Sequence, residues 1–94
     1  MEVILPAVTA TLERNGRFAR WLEVEAALAN AQAALGIIPQ KAAEDISAAA
    51  CVEKLDLSRY DEFYQKTGHP MVSMLRLLEM AAGPESGQYI HLGA

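Results

Sequence analysis

An all-α fold is what this sequence predicts, and three observations carry that expectation. The 94 residues are 52% hydrophobic but only 6% aromatic, with an alanine-rich bias that suits helices. Apolar residues recur at intervals of three and four over long stretches, which is the period of one helix face. Between those stretches stand residues that start and stop helices: Gly36 ahead of Pro39, Gly68 ahead of Pro70, and Gly83-Pro84. Residues 1–94 are therefore read as one small domain of about four helices with an extended C-terminal end, and a chain this short buries only a modest core.

The elements follow in order. Residues 1–16 end at Asn15-Gly16, a pair that commonly marks a turn. From Arg17 to Leu35 the pattern is strongly helical, because Trp21, Val24, Leu28, Ala31 and Leu35 alternate at spacings of four and three. That seam is predicted to face the core, with Glu23, Glu25, Asn30 and Gln32 falling away from it. Gly36 fits the stop.

Pro39 opens a second helix that runs to about Ala50, packing through Ala42, Ala43, Ile46, Ala49 and Ala50, and so many alanines imply close helix approach. Residues 51–57 are a connector in which Asp56 or Ser58 is placed to cap a short third helix, Arg59 to Lys66. Tyr60, Phe63 and Tyr64 make its apolar side and read as packing residues rather than as a tyrosine acid. The fourth helix is Pro70 to about Ala82, with Val72, Leu75, Leu78 and Ala82 on one side and Met71, Met74 and Leu77 widening it. Arg76 and Glu79 are spaced to pair on its polar face. Gly83 to Gly87 is the clearest turn, and Gln88-Tyr89-Ile90 reads as extended up to His91.

Composition excludes several functions. A net charge of −4 and a pI near 5.0 give no general attraction to nucleic acid, and no basic stripe with interleaved aromatics appears. No apolar run is long enough to cross a bilayer, and the N-terminal start lacks the basic flank and apolar core of a signal peptide, so no membrane partner and a cytoplasmic location are expected. Cys51 is the single cysteine, and it reads as an apolar filler without a disulfide partner.

There is no phosphate-binding glycine loop, no Gly-x-Ser-x-Gly elbow and no cofactor signature. Two histidines 22 residues apart are not a metal pair, so no metal is expected. The chemistry therefore rests on Thr67, His69 and His91 or is absent. His69 stands at the mouth of the fourth helix, beside free backbone N–H groups and the positive end of the helix dipole, a place that suits an anion. On residue types alone, the favoured reading of each histidine is a satisfied polar group at a helix end.

Four ordered segments carry a family resemblance: Trp21-Leu22-Glu23-Val24-Glu25-Ala26-Ala27-Leu28-Ala29, Leu35-Gly36-Ile37-Ile38-Pro39, Thr67-Gly68-His69-Pro70-Met71-Val72-Ser73, and Gly87-Gln88-Tyr89-Ile90-His91-Leu92-Gly93-Ala94. Together they resemble the N-terminal region of the fumarase/aspartase superfamily, most closely the branch containing adenylosuccinate lyase and carboxymuconate cycloisomerase. The likeness spans roughly residues 17 to 94. It implies a β-elimination in which a general base removes a proton beside a carboxylate and an amine or alkoxide leaves, giving fumarate, or a related cycloisomerisation. By that resemblance Thr67 and His69 bind an anionic dicarboxylate-type substrate, and His69 and His91 line one catalytic cleft. Two departures stand out. The Arg-Tyr and Ser-Arg-Pro-Glu-Met residues usual near the start of adenylosuccinate lyases are absent, and Pro70 follows His69 where the motif usually has aspartate.

In relatives the sequence continues past the segment matching Gly93-Ala94 into a Thr-Ser-Gln-Asp stretch, a long helical bundle and a Gly-Ser-Ser loop, and the active site is built from three subunits of a homotetramer. The expectation is that these residues are the N-terminal piece of such a lyase and show no turnover alone. The rival reading is a stand-alone helical interaction module that binds a partner through the apolar faces of Trp21–Leu35 and Val72–Ala82.

Overall fold

The structure, a computed structural model, describes residues 4–90, and for residues 4–8 and 11 the backbone only. Five helices follow one another among the described residues: α1 (Ile4–Ala34), α2 (Gln40–Ala49), α3 (Tyr60–Thr67), α4 (Pro70–Ala82) and the single turn α5 (Pro84–Gly87). Two 3₁₀ turns, Val52–Lys54 and Leu57–Arg59, bridge α2 to α3. The all-α expectation holds. None of the helices is long and apolar enough to cross a membrane.

The molecule measures 51 × 23 × 20 Å, and the long dimension is set by α1, whose 31 residues rise about 46 Å at 1.5 Å each. No turn forms at Asn15-Gly16, because α1 runs straight through it. A glycine in a helix interior costs only about 1 kcal/mol, and here the Arg14 guanidinium lies 5.8 Å from the Phe18 ring centroid and 5.4 Å from that of Tyr60, holding this part of α1 against α3. At the other end Gly36, with φ 77°, closes the helix. Ile37 N–H donates to the Gln32 carbonyl at 2.8 Å and Gly36 N–H to the Ala33 carbonyl at 3.0 Å, the paired bonds of a Schellman cap.

The buried face of α1 differs from the predicted seam. Phe18, Leu22, Glu25, Ala29 and Gln32 point inward, whereas Val24 is 63% and Leu35 76% exposed. Ala31 is exposed, and Trp21 and Leu28 are half-buried. Both stripes have helical spacing and lie about 100° apart around the helix at 100° per residue, so periodicity alone does not choose between them. The partner chooses. Ala29 packs with Ile38, Ala42, Ala43 and Ile46 in one cluster, where small side chains let α1 and α2 approach closely, and Glu25 and Gln32 are carried inward with it.

The second cluster joins Phe18 and Leu22 of α1 to Ala49, Leu55, Met74, Leu77 and Leu78, with Trp21, Tyr60, Phe63 and Ile90 against its edge. Helix α4 keeps its predicted limits and buries Ser73, Met74, Leu77 and Leu78; Val72 is 37% exposed, so the inward face is turned from the one expected. Arg76 and Glu79 pair at 3.3 Å as predicted. Neither Asp56 nor Ser58 caps α3, whose N-cap is Arg59 without a side-chain bond; the two side chains bond each other instead. Gln88-Tyr89-Ile90 is turned rather than extended: Tyr89 N–H donates to the Ser86 carbonyl and Ile90 N–H to that of Gly87, each at 3.1 Å. Residues 91–94, including His91, lie outside the described residues.

Candidate functional site

Helix α3 ends at Gly68, whose left-handed backbone (φ 65°) reverses the chain in a single residue and sends it into α4. His69 is then the N-cap of α4, extended at φ −138° and ψ 123°, with Pro70 in the first turn behind it. The imidazole itself makes the cap: Nδ1 accepts the Met71 N–H at 3.1 Å, satisfying one of the donors that every helix start leaves open. A ring nitrogen that accepts carries no proton, so in the neutral imidazole the N–H is on Nε2. His69 is exposed, and that N–H is available to an acceptor oxygen.

Both backbone polar groups of His69 are tied down as well. Its N–H donates to Thr67 Oγ1 at 3.2 Å, and its carbonyl accepts from Ser73 Oγ at 2.8 Å. Thr67 Oγ1 and Ser73 Oγ are 2.9 Å apart, and the Ser73 hydroxyl, its proton already committed to the carbonyl, accepts from Thr67. Thr67 and His69 are thus brought together as expected, with the Thr67 hydroxyl engaged inside the turn. Ser73 was missed as a functional candidate by sequence reasoning. Its one signal is a small hydroxyl residue four positions after the helix-capping histidine, on an otherwise apolar helix.

The other end of α4 is built differently. Gly87 of α5 lies directly on the backbone of Glu79, where an added Cβ would come within 2.7 Å of the carbonyl oxygen, and Ile90 packs into both core clusters. Glu79 is ten residues beyond His69, about 15 Å along the helix. Whether His91 joins His69 in one cleft concerns a residue outside those described.

A latch holds α5 to α2. Ser86, buried, donates to Asp45 Oδ2 at 2.6 Å, and Lys41 Nζ stands 3.3 Å from the same oxygen. The Ser86 hydrogen bond, partly opposed by desolvation and helped by Lys41, holds the Asp45 carboxyl below its ordinary value. A depressed carboxyl contributes stability above its unfolded pKa and loses it as pH falls through the folded one. Docking of α5 should therefore weaken as pH drops below about 4. Amide exchange at Gly87, Tyr89 and Ile90 followed from pH 7 downward is expected to show the loss, and Asp45→Asn to flatten it; an identical profile in the variant would refute the latch.

Among the described residues two surface grooves lie apart from Thr67 and His69: an open one of about 480 Å³ along α1, lined by Thr9, Leu12, Glu13, Gly16, Arg17 and Arg20, and a smaller one beside the latch. The one beside the latch, lined by Pro39, Lys41, Ala42, Glu85, Ser86, Gln88 and Tyr89, holds about 180 Å³, below the roughly 300–1,000 Å³ of small-molecule pockets. Burial first, then Tyr64, pushes the Tyr60 phenol above its ordinary value, with Arg14 and Arg17 opposing. Among the described residues no group of three His, Cys, Asp or Glu is placed to hold a metal.

No family model matches the chain. Individual proteins do. It is 40% identical over 89 residues to adenylosuccinate lyase of Methanocaldococcus jannaschii, covering 95% of this chain and 19% of that enzyme. With 3-carboxy-cis,cis-muconate cycloisomerase of Pseudomonas putida the identity is 35% over 92 residues, covering 95% and 22%. The crystal structure of a fumarate lyase from Mesorhizobium sp. BNC1 superposes with a TM-score of 0.72 at 40% identity, over 85% of this chain and 19% of that one. The chain thus spans about a fifth of the length of the curated relatives it matches. Agreement in sequence over nearly the whole chain, together with the same arrangement of helices in a solved relative, makes it a member of the fumarase/aspartase superfamily, in the branch that holds adenylosuccinate lyase and carboxymuconate cycloisomerase.

Proposed function

We propose that the chain supplies the Thr67–His69 turn, together with His91, to the anion-binding site of a β-eliminating lyase or related cycloisomerase, most like adenylosuccinate lyase. The observation that carries this reading is the exposed His69 imidazole, capped through Nδ1 so that Nε2–H faces outward, in a chain of this family. In such a reaction a general base takes the proton from the carbon beside a carboxylate, and the electron pair is held as an aci-carboxylate. That pair then forms the C=C bond as the C–N or C–O bond breaks. A fixed N–H donor is worth most on the carboxylate that carries the developing charge, or on a phosphate that anchors the substrate, because it needs no reorganisation as the charge builds.

Because the chain spans only about a fifth of the length of the relatives it matches, the 94 residues are expected to show no turnover on adenylosuccinate, argininosuccinate or carboxymuconate. The full site would be completed by the parts that relatives add, in a cytoplasmic homotetramer. The exposed Val24, Leu35 and Ile37 side chains suit a domain that packs on a larger core. They favour equally a second reading, a stand-alone helical module that binds a partner through that stripe.

The test is a chimera in which this chain replaces the matching 89-residue segment of the Methanocaldococcus enzyme. It is expected to cleave adenylosuccinate, and His69→Ala to lower kcat by about 100- to 1,000-fold, the usual loss for one transition-state donor. A chimera that assembles but is inactive on all three substrates, or one indifferent to His69→Ala, overturns the reading in favour of the module.

A further inference from the structure

We propose that Ser73 is a positioning residue, closing a ring of hydrogen bonds that holds His69 in the one backbone conformation from which Nδ1 caps α4 and Nε2–H faces a ligand. The inference rests on the proposed role of His69 and adds a residue and a protonated atom to it.

The ring passes through the backbone of a single residue. His69 N–H donates to Thr67 Oγ1, Thr67 O–H donates to Ser73 Oγ, and Ser73 O–H donates to the His69 carbonyl, at 3.2, 2.9 and 2.8 Å. The Thr67 hydroxyl also lies 3.3 Å from the His69 carbonyl, a longer alternative to its bond with Ser73; with Thr67 donating to the nearer Ser73 oxygen, each hydroxyl donates once and accepts once. The Ser73 amide adds the ordinary helical bond to the same carbonyl at 3.0 Å.

A capping side chain reaches its helix only from the extended conformation that His69 adopts. Pro70 biases the residue before it toward that extended region, while Gly68 leaves the approach to it open. Within that region the bonds on the His69 N–H and carbonyl fix the residue in place, and Ser73 supplies one of them. The serine is fully buried among Met74, Leu77 and Leu78 on the inward face of α4, so the ring is anchored in the core while the imidazole it orients stands in solvent. A buried hydroxyl with no partner would be costly; this one has both its donor and an acceptor site used on the candidate site's own turn.

The consequence is a donor with a defined tautomer. An imidazole free to turn exchanges its proton between Nδ1 and Nε2, and a share of its encounters with an anion would offer a lone pair. Held as the cap of α4, His69 offers N–H alone, to an oxygen anion.

Histidine-selective ¹⁵N NMR on the 94-residue chain tests this directly, with thermal melting as the measure of folding. Wild type is expected to show His69 as a single Nε2–H tautomer. Ser73→Ala and Thr67→Val are each expected to lose that signature and give tautomer-averaged signals, while Thr67→Ser, which keeps the hydroxyl, retains it. A merely structural serine would lower the melting temperature and leave the His69 signals alone. If Ser73→Ala does not fold, exposed Thr67→Val decides, because it opens the same ring from the solvent side. Wild-type His69 signals in either folded variant overturn the proposal. An inactive chimera, by contrast, fails the lyase reading and leaves this spectroscopic result untouched.

Discussion

Leu22→Ala is expected to remove about 2–5 kcal/mol of stability, while Leu35→Ala, one residue past the end of the same helix, changes it by less than about 0.5 kcal/mol. Leu22 is fully buried between α1 and α4, in a cluster with Phe18, Met74, Leu77 and Leu78. Deleting its branch leaves a cavity that well-packed neighbours refill only in part. Leu35 is 76% exposed, so its truncation loses little burial. A domain of this size has about 5–15 kcal/mol in all, and the first substitution therefore spends a large part of it. Urea unfolding of both variants, with equal m-values, is the measurement. Equal losses, or a greater loss at Leu35, would mean that α1 buries its other stripe in solution.

Two glycine substitutions should move stability in opposite directions. At Gly87 a Cβ would meet the Glu79 carbonyl oxygen at 2.7 Å and its Cα at 3.2 Å, and both are backbone atoms of a packed helix that cannot swing aside. Gly87→Ala is expected to cost about 1–3 kcal/mol as α5 is pushed off α4. With α5 moves Ile90, which packs into both core clusters, so the loss extends beyond the Gly87–Glu79 contact. Gly16 lies inside α1, and the nearest atom to its added Cβ is the end of the Arg20 side chain at 3.8 Å. Gly16→Ala is expected to raise stability by about 0.4–1 kcal/mol through the lower entropy of the unfolded chain. Thermal melts at one pH separate the two. A Gly87→Ala variant as stable as wild type would show that α5 does not press on Glu79.

Local signals were legible in the sequence wherever the deciding atoms lie within a few residues of one another. Gly36 and Gly68 both take the positive φ that ends a helix, and α4 runs from Pro70 to Ala82 as read. His69 stands at the mouth of α4 because proline follows it and apolar residues recur beyond. The Asn15-Gly16 pair misled, since a dipeptide turn signal yields when the residues around it, here Arg14 and Phe18, have tertiary partners in α3. Asp56 and Ser58 misled in a similar way: each is a competent cap, but their side chains satisfy one another two residues apart. Ser73 was silent because serine in a helix is ordinary; its meaning depends on where the Thr67 hydroxyl and the His69 carbonyl come to lie.

By itself the sequence determined that the chain is helical, where most of its helices start and stop, which superfamily it joins, and that a histidine stands at the mouth of the fourth helix. These follow from spacing, caps and ordered segments, which are properties of neighbouring residues. Only the tertiary structure decided which stripe of α1 is buried, that Gly87 touches Glu79, and that Ser73 anchors the turn bearing His69. Two stripes of equal periodicity are equivalent until an alanine-rich partner rewards the one that allows close approach, and that reward lies in contacts between residues far apart along the chain.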